Sequence, residues 1–359
     1  MAGTETDRSL NRALLARQGL LEPLDAPLVE VVETIGALQA QAWGAPPFAL
    51  WSRMKDFQTA QLHAALEARE LVVGINLRAT LHLVSAREHP AYHAVVEESG
   101  MTDWRRTKET SSDALRKALL KYTAEPRTGE EIAAFADDWV DGHKGKIADE
   151  EIERQRELKW RPLVRWSALT RVPEDGKWTS KTPMALLTAP DLKAPDDALE
   201  TVIRRHLRAF GPASADDVAS WIGWRTPPIR EALKAMDDLP EVDKGLYDLP
   251  EAPRPEAGTP APARFLAAFD SALLAYPSKR RTRLVPDELR DLVYLRKNLQ
   301  VKPTFLVDGF VAGIWSIEVK RREATLTLTG SPDPAIEKEG KKLLQWAHPD
   351  AKAYHVVTA

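Results

Sequence analysis

The chain has 359 residues, 43% hydrophobic and 29% charged, with a formal net charge of −3 and no cysteine. That length exceeds what one core normally serves, so two to four modules are expected, and zero cysteines exclude disulfides and thiolate metal sites. No apolar run approaches the ~20 residues of a membrane span, and Met1–Asp7 is polar and acidic, so a soluble cytoplasmic protein is expected.

Asp25-Ala26-Pro27 reads as a cap followed by a first-turn proline. Leu28, Val31, Val32, Ile35 and Leu38 then recur at helical spacing, which predicts an amphipathic helix with a buried stripe. A second helix is expected from about Thr59 to Arg69, followed by short strands at Leu71–Val73 and Ala79–Val84 around Gly74-Ile75-Asn76. Helix, helix and two-stranded hairpin is the order of a winged helix. The order recurs. Asp113–Tyr122, Thr128–Trp139 and Glu150–Lys159 read as helices, and Leu163–Trp166 and Trp178-Thr179 as strands flanking a turn at Pro173-Glu174-Asp175-Gly176. A third pass is clearer. Leu199–Phe210 is a helix stopped by Gly211-Pro212, Ser214 caps Asp216–Ile222, Pro228–Met236 follows, and Val242–Leu249 supplies a wing with a Lys244-Gly245 turn.

Pro250–Ala263 holds five prolines in fourteen residues, a stiff extended connector. Beyond it the pattern changes to strands. Phe305-Leu306-Val307 and Phe310-Val311 bracket Asp308-Gly309, a hairpin turn signal. Val311, Gly313, Trp315, Ile317 and Val319 alternate with other residues, as do Leu326 and Leu328 with threonines, which predicts a β-meander whose second turn is Lys320-Arg321-Arg322-Glu323. The expected division is a first winged helix over 1–112, a second over 113–190, a third over 191–249, a linker over 250–263 and a β-rich module over 264–359. The expected fold class is α+β, mainly α, with tandem winged-helix motifs and a β-rich C-terminal module. Charge is uneven along it: Arg264–Glu323 carries twelve Lys/Arg against seven Asp/Glu, a local balance of +5 that leaves −8 elsewhere. Such a stretch fits a module that meets an anion, or a solvated surface.

Gln39 and Gln41 close the first apolar helix just before a Gly/Pro break at Gly44, Pro46 and Pro47. In a continuing helix they would point about 200° apart, whereas in an extended segment residues i and i+2 project the same way. Convergence of the two amides therefore requires the helix to end near Ala40. Arg78 and Thr80 stand at the first expected wing, where such side chains bind phosphates. His82 is either a further nucleic-acid contact or a half-buried strand histidine between Leu81 and Leu83. Arg53 is a similar candidate. Two basic runs, Lys279-Arg280-Arg281-Thr282-Arg283 and Lys320-Arg321-Arg322, fit duplex backbone or minor-groove contacts, or solvated turns.

Other chemistries fail on spacing. His89 and His93 are four apart, but no Glu follows His89 and Pro90 occupies the next position, so a structural reading is favoured over zinc. No Walker loop, GxSxG elbow or GxGxxG occurs. Asp216-Asp217 and Asp237-Asp238 sit where carboxylates normally cap helices.

Leu38-Gln39-Ala40-Gln41-Ala42-Trp43-Gly44-Ala45-Pro46-Pro47, then Leu50-Trp51-Ser52-Arg53, Asn76–Val84 and Pro303–Trp315, in this order, resemble the winged-helix DNA glycosylases of the AlkZ/YcaQ type. The resemblance covers nearly the whole chain and is weakest between about Glu97 and Thr182. It implies a monofunctional glycosylase hydrolysing the N-glycosidic bond of N7- or N3-alkylated purines, with Gln39 and Gln41 as its catalytic residues. The Gln-x-Gln form is that of the AlkZ branch; the YcaQ branch carries Asp at the second position. The chemistry fits a neutral pair, because an alkylated purine already carries positive charge and leaves without a general acid. What remains is to orient a water and stabilise an oxocarbenium-like transition state. The resemblance also implies that the modules together form a C-shaped, concave DNA-binding surface, with no cofactor or metal, double-stranded DNA as partner and a monomer. Some members remove bulky natural-product adducts or interstrand crosslinks, for self-resistance in an antibiotic producer. A hairpin is expected to approach the minor groove, here Arg321-Arg322, and Phe269–Leu274 is a segment also present in the family. Ala42-Trp43-Gly44 stands where Asp-Pro is frequent, which leaves the loop shape and adduct specificity open. The rival readings are a non-enzymatic winged-helix transcriptional regulator and an interaction scaffold without DNA affinity.

Overall fold

The computed structural model describes residues 5–100, 112–178, 184–295, 297 and 299–359. α1 (Glu5–Arg17) leads to α2 (Leu28–Ile35), which buries the predicted stripe of Leu28, Val31, Val32 and Ile35. Two expectations change here. Pro27, not Asp25, holds the N-cap position, and no side chain caps the helix. The helix also stops before Leu38, because Gly36 takes φ 82°. A Cβ at Gly36 would lie 3.1 Å from the Phe210 ring, so both conformation and space require glycine there. β1 (Leu38–Gln39) is a short extended piece, and α3 (Ala45–Trp51) follows with Pro46 in its first turn.

The chain continues through α4 (Thr59–Glu67), β2 (Leu71–Ile75), β3 (Leu81–Ser85), α5 (His89–Glu98), α6 (Asp113–Tyr122), α7 (Gly129–Gly142), α8 (Asp149–Glu157), α9 (Arg161–Trp166), β4 (Leu169–Pro173) and β5 (Met184–Thr188). β2 lies between β3 and β4, antiparallel to both, and β4 pairs with β5. Gly74 and Ile75 therefore extend β2 instead of forming the turn. The reversal comes at Leu77–Ala79, where Arg78 and Ala79 adopt φ 54° and 52°. Leu163–Trp166, expected as a strand, belongs to α9. Pro162 sits in its first turn, and Leu163 and Trp166, three apart, both enter a core with Leu115, Leu119, Ile132 and Trp160. Trp178 lies outside any strand, and Thr179 lies outside the described residues.

α10 (Ala198–Phe210), α11 (Ala215–Ile222) and α12 (Thr226–Ala235) precede a hairpin of β6 (Glu241–Asp243) and β7 (Leu246–Tyr247), and Gly245 supplies its turn at φ 73°. Ser214 caps α11 reciprocally. Its Oγ accepts the Asp217 N–H at 3.3 Å, and Asp217 Oδ2 accepts the Ser214 N–H at 2.9 Å. No helix or strand spans 250–263, yet this connector is tied down: Arg17 donates to the Pro253 carbonyl and Arg12 to that of Thr259.

The last module contains β8 (Arg264–Leu266), α13 (Ser271–Leu274), α14 (Arg290–Val293), β9 (Tyr294–Leu295), β10 (Gln300–Val301), β11 (Thr304–Val307), β12 (Phe310–Lys320), β13 (Glu323–Gly330), α15 (Pro334–Ala347) and β14 (Ala353–Thr358). Both predicted turns are present, with Asp308 and Gly309 at φ 45° and 80° and Arg321 and Arg322 at 51° and 68°. The meander is not the whole sheet. β14 pairs parallel to β13 after the α15 crossover, giving the order β14-β13-β12-β11-β8. Ile336, Leu343 and Leu344 of α15 cover Phe265, Phe305, Leu326 and Leu328. The Asp308 turn is clamped by α1: Arg12 donates to its carboxylate at 2.5 Å and Arg8 at 2.6 Å, while Asn11 donates to the Gly309 carbonyl at 2.8 Å.

The fold is thus α+β with several sheets. It divides into two compact units, one of Met1–Thr59, Ile203–Trp221 and Thr226–Ala359, the other of Ala60–Val202 and Ile222–Arg225. No described helix is long and apolar enough to cross a membrane.

Candidate active site

Because α2 ends at Ile35, Gln39 and Gln41 lie on non-helical backbone and project to the same side. Gln39 Nε2 donates to Gln41 Oε1 at 2.7 Å. Gln39 is buried and Gln41 exposed, so one amide anchors and the other faces solvent. The geometric condition for convergence is met by an earlier helix end than Ala40. Gln39 borders a narrow cleft with Ala45, Pro46 and Ala49 of α3 and with Phe269, Asp270 and Ser271. Phe269 takes φ 55°, an uncommon conformation for a bulky residue that surrounding contacts must hold.

The support under this pair is a polar network centred on Arg53. Its guanidinium is wholly buried and forks onto Asp270, with Nη2 to Oδ1 at 2.7 Å and Nη1 to Oδ2 at 3.0 Å. Nη1 also donates to the Ala49 carbonyl in α3, at 3.1 Å. Nε donates to Gln18 Oε1 at 3.2 Å, and Gln18 in turn donates to the carbonyls of Ile35 and Ala209, both at 2.9 Å. Asp270 caps α13 through the Ala272 N–H, and Ser271 Oγ donates to the Ala37 carbonyl at 2.7 Å. One ion pair therefore ties together the end of α2, helix α3 and the loop facing Gln39. This corrects the expectation of Arg53 as a nucleic-acid contact: with its guanidinium buried and shared between Asp270, Ala49 and Gln18, it has no face left for a phosphate. Gln18, Asp270 and Ser271 do not stand out in the sequence. Phe269–Leu274 is the only signal for two of them, and Gln18 sits in no pattern.

The remaining candidates divide by exposure. Arg283 is buried, donates to the Pro212 carbonyl at 3.2 Å and stacks 4.0 Å over the Tyr276 ring, so it too is structural. Arg280 pairs with buried Asp217 at 3.1 Å, and Arg281 lies 4.4 Å over Tyr294. Lys279 is exposed. At the β12–β13 tip Lys320, Arg321 and Arg322 are all exposed; Lys320 pairs with Glu318 at 2.8 Å and Arg322 donates to the Asp350 carbonyl.

Arg78, Thr80 and His82 fall in the other unit from the glutamines. His82 is buried, and burial followed by the nearby Arg78 charge pushes its pKa down to about 3. It is therefore neutral at pH 7. Its Nδ1 lies 3.0 Å from the Thr80 carbonyl, which places the proton on Nδ1 and leaves Nε2 as an acceptor, 3.4 Å from Arg78 Nη2. The buried strand histidine is the arrangement found, not an exposed contact. Arg78 and Thr80 are half-buried.

His89 and His93 are stacked, ring centroids 6.0 Å apart, with pKa values lowered to about 3 and about 4 chiefly by burial. A Cβ on Gly74 would stand 2.7 Å from His89 Nε2, so the ring is packed against the sheet. Among the described residues no group of three or more His, Asp or Glu is placed to hold a metal ion.

The chain is similar to known proteins. A family model described as DNA glycosylase AlkZ-like matches residues 32–346. The interstrand DNA cross-link repair glycosylase of Streptomyces sahachiroi is 26% identical over 348 residues, which span 89% of this chain and 91% of that one. The solved structure of the S. sahachiroi DNA glycosylase AlkZ superposes with a TM-score of 0.77 at 23% identity over 98% of both chains, a likeness of fold.

Proposed function

The chain belongs to the AlkZ-like DNA glycosylase family, enzymes that hydrolyse N-glycosyl bonds, and from that premise we propose that it excises N7- or N3-alkylated purines from duplex DNA through Gln39 and Gln41. The observation that carries this reading is the 2.7 Å hydrogen bond from Gln39 Nε2 to Gln41 Oε1. It fixes the direction of the Gln41 carbonyl at the exposed end of a buried strand. That oxygen can accept a second hydrogen bond, from a water aimed at C1′ of the lesion. As the bond from C1′ to the purine nitrogen breaks, its electron pair neutralises the cationic base. Water adds to C1′ and its proton passes to solvent. Neither amide takes up the proton, so the pair contributes position and dipole only, and unmodified purines are poor substrates.

Lys279 and the tip residues Lys320, Arg321 and Arg322 are exposed cations suited to phosphate contact, and Arg78 with Thr80 are further proposed contacts. We place the hairpin tip at the minor groove. The proposal keeps the tandem winged-helix reading and its module boundaries at 112, 190, 249 and 263; three helices followed by the β6–β7 hairpin have the order of that motif. The relative named for cross-link repair supports bulky adducts or crosslinks as substrates. We further propose a role in base excision repair or self-resistance, by a protein acting as a monomer in the cytoplasm. The test is release of 7-methylguanine, and of a bulkier N7-guanine adduct, from duplex DNA. Release by the wild type that is lost in Gln39→Ala and Gln41→Ala is the expected result. Tight duplex binding with no release would favour a regulator.

A further inference from the structure

A cavity in the same unit as the glutamines has no part in the reaction just described. It is an open hollow with about 490 Å3 of space, bordered by Phe48, Pro303, Ile314, Trp315 and Ile317, with Ser316 among its polar lining. That volume is within the range of small-molecule pockets. The walls are aromatic and stiff. The Phe48 ring sits 5.4 Å from Trp315 at a 56° tilt and edge-on to Trp346 at the same distance. Trp315 Nε1 donates to the carbonyls of Leu266 and Thr304, both at 3.0 Å, so the indole is locked and only the edge of a largely buried ring borders the hollow.

The sheet adds polar groups beside this wall. β11 pairs with β12 only as far as Thr304↔Ile314, whereas β12 runs on to Lys320. The Trp315 N–H donates to the Pro303 carbonyl at 3.1 Å. Strand alternation turns the N–H and C=O groups of Ile317 and Val319 the same way, toward the side β11 has left. Burial lowers the His348 pKa, so at neutral pH the positive charge in the lining is that of Lys302.

Helix α3 connects the cavity to the glutamines. Ala45, Pro46 and Ala49 border the cleft with Gln39, and Phe48, on the same two turns, borders the cavity. The cleft and the hollow therefore share α3 as a common wall. We propose that the cavity is a second subsite that receives the flat, apolar arm of a bulky purine adduct while the alkylated base lies against Gln39 and Gln41. The inference rests on the glycosylase reading above and deepens it, because it assigns the adduct's non-reacting part a place. A ring system fits the stacked aromatic walls, and the turned backbone groups of β12 suit a hydrogen-bonding atom at its edge.

The test compares two duplexes, one with a single N7-methylguanine and one with an N7-guanine carrying a naphthalene ring on a linker of about 10 Å. Ile317→Trp enlarges a half-buried wall residue on the face of β12 that carries Trp315, and Phe48→Leu removes one wall; thermal unfolding of each checks that the fold survives. The ratio of kcat/KM for the naphthyl over the methyl substrate is expected to fall by about tenfold or more in both variants. An unchanged ratio in folded variants, or an equal loss on both substrates, would overturn the subsite. Equilibrium binding of the same duplexes is read separately and does not depend on catalysis. Wild type should prefer the naphthyl duplex by about tenfold and Ile317→Trp should lose that preference; no preference in the wild type would also overturn the proposal. Absence of base release with the preference intact would instead sink the glycosylase assignment of the glutamines and leave the subsite standing.

Discussion

Gln39 and Gln41 differ in burial although they are two residues apart, and that difference separates their tasks. Buried Gln39 holds its partner's carbonyl, and exposed Gln41 presents it. In the proposed reaction, loss of either amide removes an oriented dipole from the transition state, a change worth about 10²–10³-fold in rate at comparable sites. Gln39→Ala and Gln41→Ala should each slow 7-methylguanine release by that order with unfolding temperature and duplex affinity retained; full activity in both would remove the pair from the mechanism. Arg53 poses the opposite case. Arg53→Ala leaves the buried Asp270 carboxylate without its cation, which typically costs about 3–5 kcal/mol. Urea unfolding should show that loss, and Arg53→Lys should restore little of it because a lysine has no fork to match both carboxylate oxygens. Residue type in the sequence tells glutamine from a titratable base. It does not tell which arginine is buried: Arg53 and Arg321 look alike until the fold puts one opposite Asp270 and the other at a hairpin tip.

At the scale of elements, patterns that depend on neighbours in sequence are legible. The α2 stripe, the Ser214 cap, the Asp308-Gly309 turn and the Lys320–Glu323 turn all emerge from spacing and turn chemistry. The end of α2 is not, since Gly36 stops the helix partly because Phe210 leaves no room for a Cβ. Leu163–Trp166 misleads because a four-residue apolar run has no period long enough to separate strand from helix. The β12–β13 hairpin carries a prediction of its own. Replacing Lys320, Arg321 and Arg322 together by alanine should weaken duplex binding and flatten its salt dependence, by about 0.9 in the log–log slope for each phosphate no longer neutralised. An unchanged slope would show that the tip does not meet the backbone of DNA.

For the whole molecule, acid is the informative perturbation. His82, His89 and His93 all lie in the second unit, and burial holds their pKa values to about 3, about 3 and about 4. The unfolded chain, with histidine near 6.5, binds more protons than the folded one below that pH. Stability is therefore complete above pH ~6.5 and falls as pH drops toward the folded values, by about 2 kcal/mol per histidine between pH 7 and pH 5. Thermal unfolding followed by circular dichroism should show the decline, and His89→Gln should reduce its slope; a flat profile from pH 7 to pH 5 would contradict the burial of these rings. Apolar periodicity and turn residues were sufficient by themselves for the α+β class and the order of most elements, because each depends on chemistry within a few neighbours; the family and the two candidate catalytic residues were legible only through the resemblance carried together by Leu38–Pro47, Asn76–Val84 and Pro303–Trp315. Only tertiary structure decided that the amides meet, that Arg53 and Arg283 are interior, that β14 returns parallel through α15, and that α3 carries a cleft on one face and an aromatic cavity on the other. The interior arginine at 53 and the aromatic wall beside α3 depend on pairs such as Arg53 with Asp270 or Phe48 with Trp315, more than two hundred residues apart in sequence, and contact over that separation leaves no local mark.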